Sequence, residues 1–241
     1  MTKSDHSRHA AVRLPILMLC MTLGACSTAM HQTDPFESFN RKVYVFNDTV
    51  DRAVLKPVAE GYSKAMPDAG KTLVNNFFSN LDDVLVTFND LLQFKFRQAA
   101  SDGSRVLFNT TFGVFGLLEV TTRLEKHNED FGQTLRYWGV PSGPYLMLPI
   151  LGPSTVTDTT GLYADSLASV ISNTGHVPTR NTLYLADGLN TRARLLDTEK
   201  VLDNALDRYS FLRDAYLMRR VSLTYDGNPP RPNYDEFDDE E

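Results

Sequence analysis

The sequence is short of the residues that most often carry chemistry. Only two of its 241 residues are cysteines, Cys20 and Cys26, so a disulfide framework or a Cys-based metal site has little to draw on. Beyond residue 25 the histidines are His31, His127 and His176, with no pair at metal-ligand spacing and no His-Glu-x-x-His. A zinc enzyme or other metal centre is not expected. No run of lysine and arginine occurs, basic and aromatic residues do not interleave, and the formal net charge is -6, so nucleic acid is not an expected partner. The nearest approach to a nucleophile elbow, Gly152-Pro153-Ser154-Thr155-Val156, lacks the second glycine and has a proline before the serine. Glu129-Asp130 is a carboxylate pair, but neighbours in sequence point apart, so it reads as a hydrogen-bonding group at a helix start or in a loop. No catalytic residue and no cofactor are assigned.

The N-terminus carries an address. Lys3, Arg8 and Arg13 form a basic region ahead of the apolar run from Leu14 to Met21, too short to span a bilayer as a stable helix. The run closes on Leu23-Gly24-Ala25-Cys26, which resembles the bacterial lipobox, in which the Cys is acylated and the chain is cut before it. An ordinary secretory signal is the alternative. Under the lipobox reading residues 1-25 are a signal peptide, Cys26 is the lipidation site and both cysteines are accounted for. Each buried CH₂ of an acyl chain contributes about 0.8 kcal/mol and two chains already anchor stably. Ser27, rather than Asp, follows the cysteine, which by resemblance to lipoprotein sorting rules favours the outer membrane.

Residues 26-33 read as a tether, 34-224 as one helical domain and 225-241 as a disordered acidic tail. Asp34-Pro35 is a helix start, and Phe36, Phe39, Val43, Phe46, Val50 and Val54 recur at three- and four-residue steps, predicting a helix that stops before Pro57. Asn40, Arg41 and Asn47 on the same helix read as packing and hydrogen-bonding devices. A short helix over 58-65 is followed by a long amphipathic one, its stripe of Val74, Phe77, Phe78, Leu81, Val84, Leu85, Phe88 and Leu91 expected to be bundle core. From Val106 to Leu118 the chain is apolar on nearly all sides, as a central bundle helix or a segment facing acyl chains would be. Further helices are expected over 162-171, 181-196 and 199-220, with Arg192, Arg194, Arg213, Arg219 and Arg220 on solvated faces. Strand signals are absent, so the fold class is all-α.

One stretch does not fit a bundle. Glu129 to Pro153 reads EDFGQTLRYWGVPSGPYLMLPILGP, and its glycines and prolines interrupt any helical or strand period. It is expected to be a long irregular loop, yet Tyr145, Leu146, Met147, Leu148, Ile150 and Leu151 make it apolar. Such a loop needs a protein core or lipid around it.

Taken together, the motifs resemble the MlaA (VacJ) family of outer-membrane lipoproteins. The matching stretches are the lipobox, DPFESFNRKVYVFND from Asp34, NNFFSNL from Asn75, NDLLQ from Asn89 and RVLFNTTFGVFGLLEV from Arg105. EDFGQTLRYWGVPSGPYLMLPILGPST from Glu129 and DRYSFLRDAYLMRR from Asp207 complete the set. Departures are Glu119, where the family usually has Asp, and Thr157, where an Arg commonly precedes Asp158. The resemblance implies a single ring-like helical domain lying in the outer membrane, lipid-anchored on its periplasmic side, with an amphipathic channel. Mislocalised outer-leaflet phospholipids would pass through it to a soluble periplasmic carrier, MlaC, and on to an inner-membrane ABC transporter, with a trimeric porin as partner. On that basis Phe112, Gly113, Val114, Phe115, Gly116, Leu117, Leu118, Tyr145, Leu146, Met147, Leu148, Ile150 and Leu151 are candidates to bound the channel or contact lipid. Phe46 and Asn47 are candidates to support the assembly. A structural porin-associated lipoprotein and an outer-membrane phospholipid hydrolase are the rival readings.

Overall fold

The computed structural model describes residues 34–230. The signal segment 1-25, Cys26, the tether 26-33 and residues 231–241 of the acidic tail lie outside them. The helices are α1 (Glu37–Val50), a π-helical turn (Asp51–Leu55), α2 (Lys56–Ala65), α3 (Asp68–Leu92), α4 (Phe96–Phe112), α5 (Phe131–Tyr137), α6 (Val156–Ala168), α7 (Val177–Arg194), α8 (Glu199–Asp203) and α9 (Arg208–Thr224). The class is all-α, with one small hairpin, β1 (Tyr145–Leu148) and β2 (Gly152–Thr155), between α5 and α6.

Pro57 does not end the first helix. In the π turn ahead of it, Lys56 N bonds to Asp51 O five residues back. The widened turn takes up the position where proline has no N–H to give, and α1 runs on into α2. Helix α1 itself starts at Glu37, and Asp34 accepts from Phe36 N (3.1 Å), from Asn40 Nδ2 (2.9 Å) and from the Tyr209 hydroxyl. The start of the described chain is thereby tied to α9.

The stretch from Glu129 to Pro153, expected to be one irregular loop, holds helix α5 in its first half and an antiparallel hairpin in its second, with Tyr145 opposite Thr155 and Leu148 opposite Gly152. The hairpin was illegible because its turn is Pro149-Ile150-Leu151, which holds neither glycine nor asparagine. Leu151 N closes on Pro149 O at 2.8 Å, with Ile150 at φ 67, a conformation that costs a β-branched residue energy.

The interior is polar, against the expectation for α3. Its buried residues are Phe78, Asn80, Asp83, Val86, Asn89 and Asp90, while the stripe members Val84, Phe88 and Leu91 are exposed. The same inversion holds in α1, where Asn40 and Val43 are buried and Phe36, Phe39 and Phe46 are exposed. In α4, Asp102, Arg105 and Asn109 are buried with Ala99, and Leu107, Phe108 and Phe112 are exposed. Among the described residues, buried polar and charged ones outnumber buried apolar ones roughly two to one, the reverse of a water-soluble bundle. A small apolar cluster of Val43, Tyr145, Met147 and Tyr209 joins α1, β1 and α9.

Packing closes on itself. Helix α1 meets α2 through the π turn, α2 packs on α7, α7 on α3, α3 on α5, α5 on α9, α9 on β2, and β1 returns to α1. Two glycines set the approach of α5 to α6: a Cβ on Gly161 would lie 2.3 Å from Gly132 N. Gly188 in α7 has open space instead. Gly161→Ala should therefore lower the unfolding stability by about 1–3 kcal/mol through overpacking. Gly188→Ala should be neutral or gain up to about 1 kcal/mol; denaturant titration of both variants in the same detergent or bilayer checks the contrast.

Candidate functional site

Three polar assemblies occupy the interior. The first joins α5, α6 and α9. Asp158 Oδ1 accepts from Arg220 Nη2 at 2.7 Å, and Asp158 Oδ2 accepts from Arg136 Nη2 (2.8 Å), the Tyr216 hydroxyl (2.8 Å) and Thr155 Oγ1 (2.9 Å). Arg220 spans to Asp130 as well, donating from Nη2 at 2.9 Å and from Nη1. Asp130 also caps α5, accepting from Gln133 N at 2.9 Å. Burial works to raise the Asp130 carboxyl, but Arg220 and the Gln133 N–H outweigh it and hold the group below the ordinary aspartate range. Glu129 and Asp130 are thus hydrogen-bonding groups, while Arg220, expected on a solvated face, is buried at the centre of a charge cluster.

The second assembly grips the hairpin from α1. Asn40 Nδ2 donates to Tyr145 O (3.1 Å) and its Oδ1 accepts from Met147 N (2.9 Å). Two helical turns on, Asn47 Nδ2 donates to Leu148 O (2.9 Å) and its Oδ1 accepts from Ile150 N (2.7 Å). Each side-chain amide does what a neighbouring strand's peptide would do, so the open edge and strained tip of the hairpin are satisfied without a third strand.

The third lies under the turn that follows α4. Val114 (φ 53), Phe115 (φ 57) and Gly116 (φ 86) are successive left-handed residues, an arrangement that needs outside support. Asn76 Nδ2 donates to Leu117 O (3.2 Å), Asn80 Nδ2 to Thr110 Oγ1 (2.9 Å), and Asn109 Oδ1 accepts from Val120 N (2.9 Å). Arg105 beneath them reaches Asp83 (3.2 Å), Glu119 (3.0 Å) and Leu124 O (3.2 Å). A Cβ on Gly116 would stand 2.6 Å from Asn80, so only glycine fits at that position.

The candidate residues divide by burial. Phe112, Val114, Phe115 (73 %), Leu118, Ile150 (68 %) and Leu151 (68 %) are exposed, and Leu117, Leu146 and Leu148 are half-buried. Gly113 and Gly116 are buried in the turn. Tyr145 and Met147, 1 % and 2 % exposed, belong to the apolar cluster with Val43 and Tyr209; side chains so enclosed meet neither lipid nor a channel. Phe46 is exposed beside the Asn47 clamp. The two segments are held by different helices, the turn by α3 and the hairpin by α1.

Helices α3, α6 and α7 bring the carboxylates Asp82, Asp165 and Asp187 near one another. Asp82 keeps open surface, yet desolvation raises its carboxyl, with Asp83, Asp187 and Asp165 adding to the rise and Lys126 opposing it. Asp187 on α7 is raised by burial too, with Arg194 opposing. With the apolar stripe of α3 expected as core, its Asn and Asp residues fell to the other faces. Their spacing carried a usable signal, because Asn76, Asn80, Asp83, Thr87 and Asp90 form a stripe of their own.

Among the described residues, exposed apolar side chains surround a polar interior, an arrangement unlike that of a water-soluble helical bundle. No described helix is long and apolar enough to cross a membrane. The chain belongs to the MlaA lipoprotein family, whose model matches residues 32–222. It is 34% identical over 229 residues to the intermembrane phospholipid transport system lipoprotein MlaA of Shigella flexneri, and 33% identical over 229 residues to that of Escherichia coli strain K12. In both cases 90% of each chain is covered. A protein of Rickettsia conorii is 37% identical over 207 residues, covering 81% of this chain and 80% of that one. A solved structure from work on the "Structural basis for maintenance of bacterial outer membrane lipid asymmetry" superposes with a TM-score of 0.69 at 32% identity, covering 81% of this chain and 100% of that one.

Removing one member of the buried charge cluster leaves the others unanswered. Arg220→Leu should cost about 3–5 kcal/mol of unfolding free energy. In the parent protein the Asp130 contribution is present above the ordinary aspartate range and is lost as pH falls through its lowered folded value. That acid-side loss should shrink in Arg220→Leu, which denaturation curves recorded across the acid range would show.

Proposed function

We propose that this chain is an intermembrane phospholipid transport lipoprotein. Acylated at Cys26 and seated at the periplasmic side of the outer membrane, it passes mislocalised outer-leaflet phospholipids inward. What carries the proposal is the pairing of an apolar exterior with a polar interior. Acyl chains travel along apolar surface, and the head group travels along polar wall, avoiding the several kcal/mol that desolvating it in hydrocarbon would cost. The curated MlaA relatives are intermembrane phospholipid transport system lipoproteins, and family membership supports the same role here.

Two exposed apolar elements would lead lipid to the polar interior, the Val114-Phe115 turn and the Ile150-Leu151 tip, each with asparagine side chains bonded to its own or adjoining backbone. Strain maintained at an exposed position is a mark of function. The periplasmic carrier MlaC would receive the lipid, and a trimeric porin would hold the assembly in place. No step makes or breaks a covalent bond.

The test uses cells that depend on this chain for outer-membrane lipid asymmetry. Phe115→Glu and Leu151→Glu should fold, because both side chains are exposed, and should raise outer-leaflet phospholipid and detergent sensitivity. A lipoprotein with a purely structural, porin-bound role would tolerate both charges with asymmetry intact and porin binding unchanged, and that outcome would overturn the proposal.

A further inference from the structure

Asp90 has nothing in the fold to bind. It lies near the C-terminal end of α3 with no exposed surface, and neither carboxylate oxygen has a hydrogen-bond partner among the described residues. An ionised carboxylate so placed has lost its water and received nothing in exchange. Of the charged groups that face it, the carboxylates of Asp102 and Glu129 make its ionised form worse, and only His127 and Lys95 oppose them. From α4 comes Asp102, buried, its Oδ2 2.6 Å from His127 Nδ1. From the segment ahead of α5 come His127, which is charged only when protonated, and Glu129, which accepts from Gln93 Nε2 (2.8 Å) and Lys95 Nζ (2.9 Å). Lys95, between α3 and α4, is the one permanent cation beside it and is shared with Asp226 after α9 at 2.6 Å. Arg105 is 3.9 Å from Asp102, but its N–H groups already serve Asp83, Glu119 and Leu124 O. From α5 the neighbours are uncharged: Thr134 Oγ1 donates to Asn89 Oδ1 (2.9 Å) and accepts from Gln93 Nε2 (3.1 Å).

Every cation in this cluster is therefore already engaged by another carboxylate. We infer that Asp90 is a proton-binding site at the seam where the end of α3 meets α4 and the 119-130 segment, and that losing this proton loosens the seam. Burial, helped by Asp102 and Glu129 and opposed by His127 and Lys95, pushes the carboxyl up to about 7. The sign follows from linkage. The unfolded chain ionises at the ordinary aspartate value, so the folded state loses stability as pH rises from there towards about 7, and the full penalty stands above that. The same seam carries the Gln93 and Asn89 bonds to α5, so a proton at Asp90 is coupled to the anchorage of the Arg220 cluster.

The test compares the full lipoprotein with Asp90→Asn, an isosteric side chain that needs no proton, in the same bilayer nanodiscs. Thermal unfolding between about pH 5 and about pH 9 should show the parent losing several degrees relative to Asp90→Asn, which should gain most at the alkaline end. Infrared difference spectra of the parent should show a buried carboxylic-acid carbonyl band that disappears over the same interval and is absent from Asp90→Asn. If the variant fails to fold, the parent's infrared titration decides alone. A parent without such a band, or a variant keeping the parent's pH slope, would overturn the inference.

Discussion

A buried charge in this protein has to be answered from within the fold, and the junction of Asp158 and Asp130 with Arg220 and Arg136 is where that constraint is heaviest. Isolated, each ion would cost several kcal/mol to bury. Joined, they bind α5, α6 and α9 at points set by the geometry of two guanidinium groups. The contact of Gly132 with Gly161 brings the helix backbones close enough for that geometry to be reached. Helix α9 passes the constraint on, because Tyr209 bonds Asp34 and packs in the cluster holding β1.

The proposed membrane seating accounts for the polar interior. In water, the burial of apolar side chains drives packing. On the proposed seating in the outer membrane, hydrocarbon would remove that drive, and the exposed Leu107, Phe108, Phe112 and Leu185 would lose nothing by facing outward. Association then falls to hydrogen bonds and ion pairs, which are worth most where water is scarce. Asn40, Asn47, Asn76 and Asn109 fit that role, each connecting a helix to irregular or strand backbone that would otherwise have unsatisfied groups. Such an interior can also line a route for a head group, which an interior of leucines could not.

The helices were legible because periodicity reports which residues share a face. The long stripe along α3 and the helices near 58-65, 181-196 and 199-220 all appear close to where their spacing put them. Which face turns inward was not legible, because that depends on the solvent outside and not on the repeat. The buried asparagines and aspartates of α3 accordingly fell to the other faces. The hairpin was illegible for a different reason: the groups that satisfy its edge are side chains of α1, about a hundred residues away in sequence, and its turn residues signal no turn. Arg220 was misjudged because an arginine near a helix end is usually solvated, and its partners Asp130 and Asp158 come from two other helices. The family motifs, in contrast, pointed to the right family without revealing this inversion.

The central claim is that hydrocarbon lies outside and water inside. Spin labels placed singly at 115, 151 and 185 and, separately, at 82 and 187, in protein reconstituted into phospholipid bilayers, measure it through collisions with lipid-soluble oxygen and with a water-soluble nickel chelate. The first three positions should favour oxygen and the last two nickel. Labels at 82 and 187 that meet neither reagent, or labels at 115, 151 and 185 that meet nickel as freely as oxygen, would contradict it.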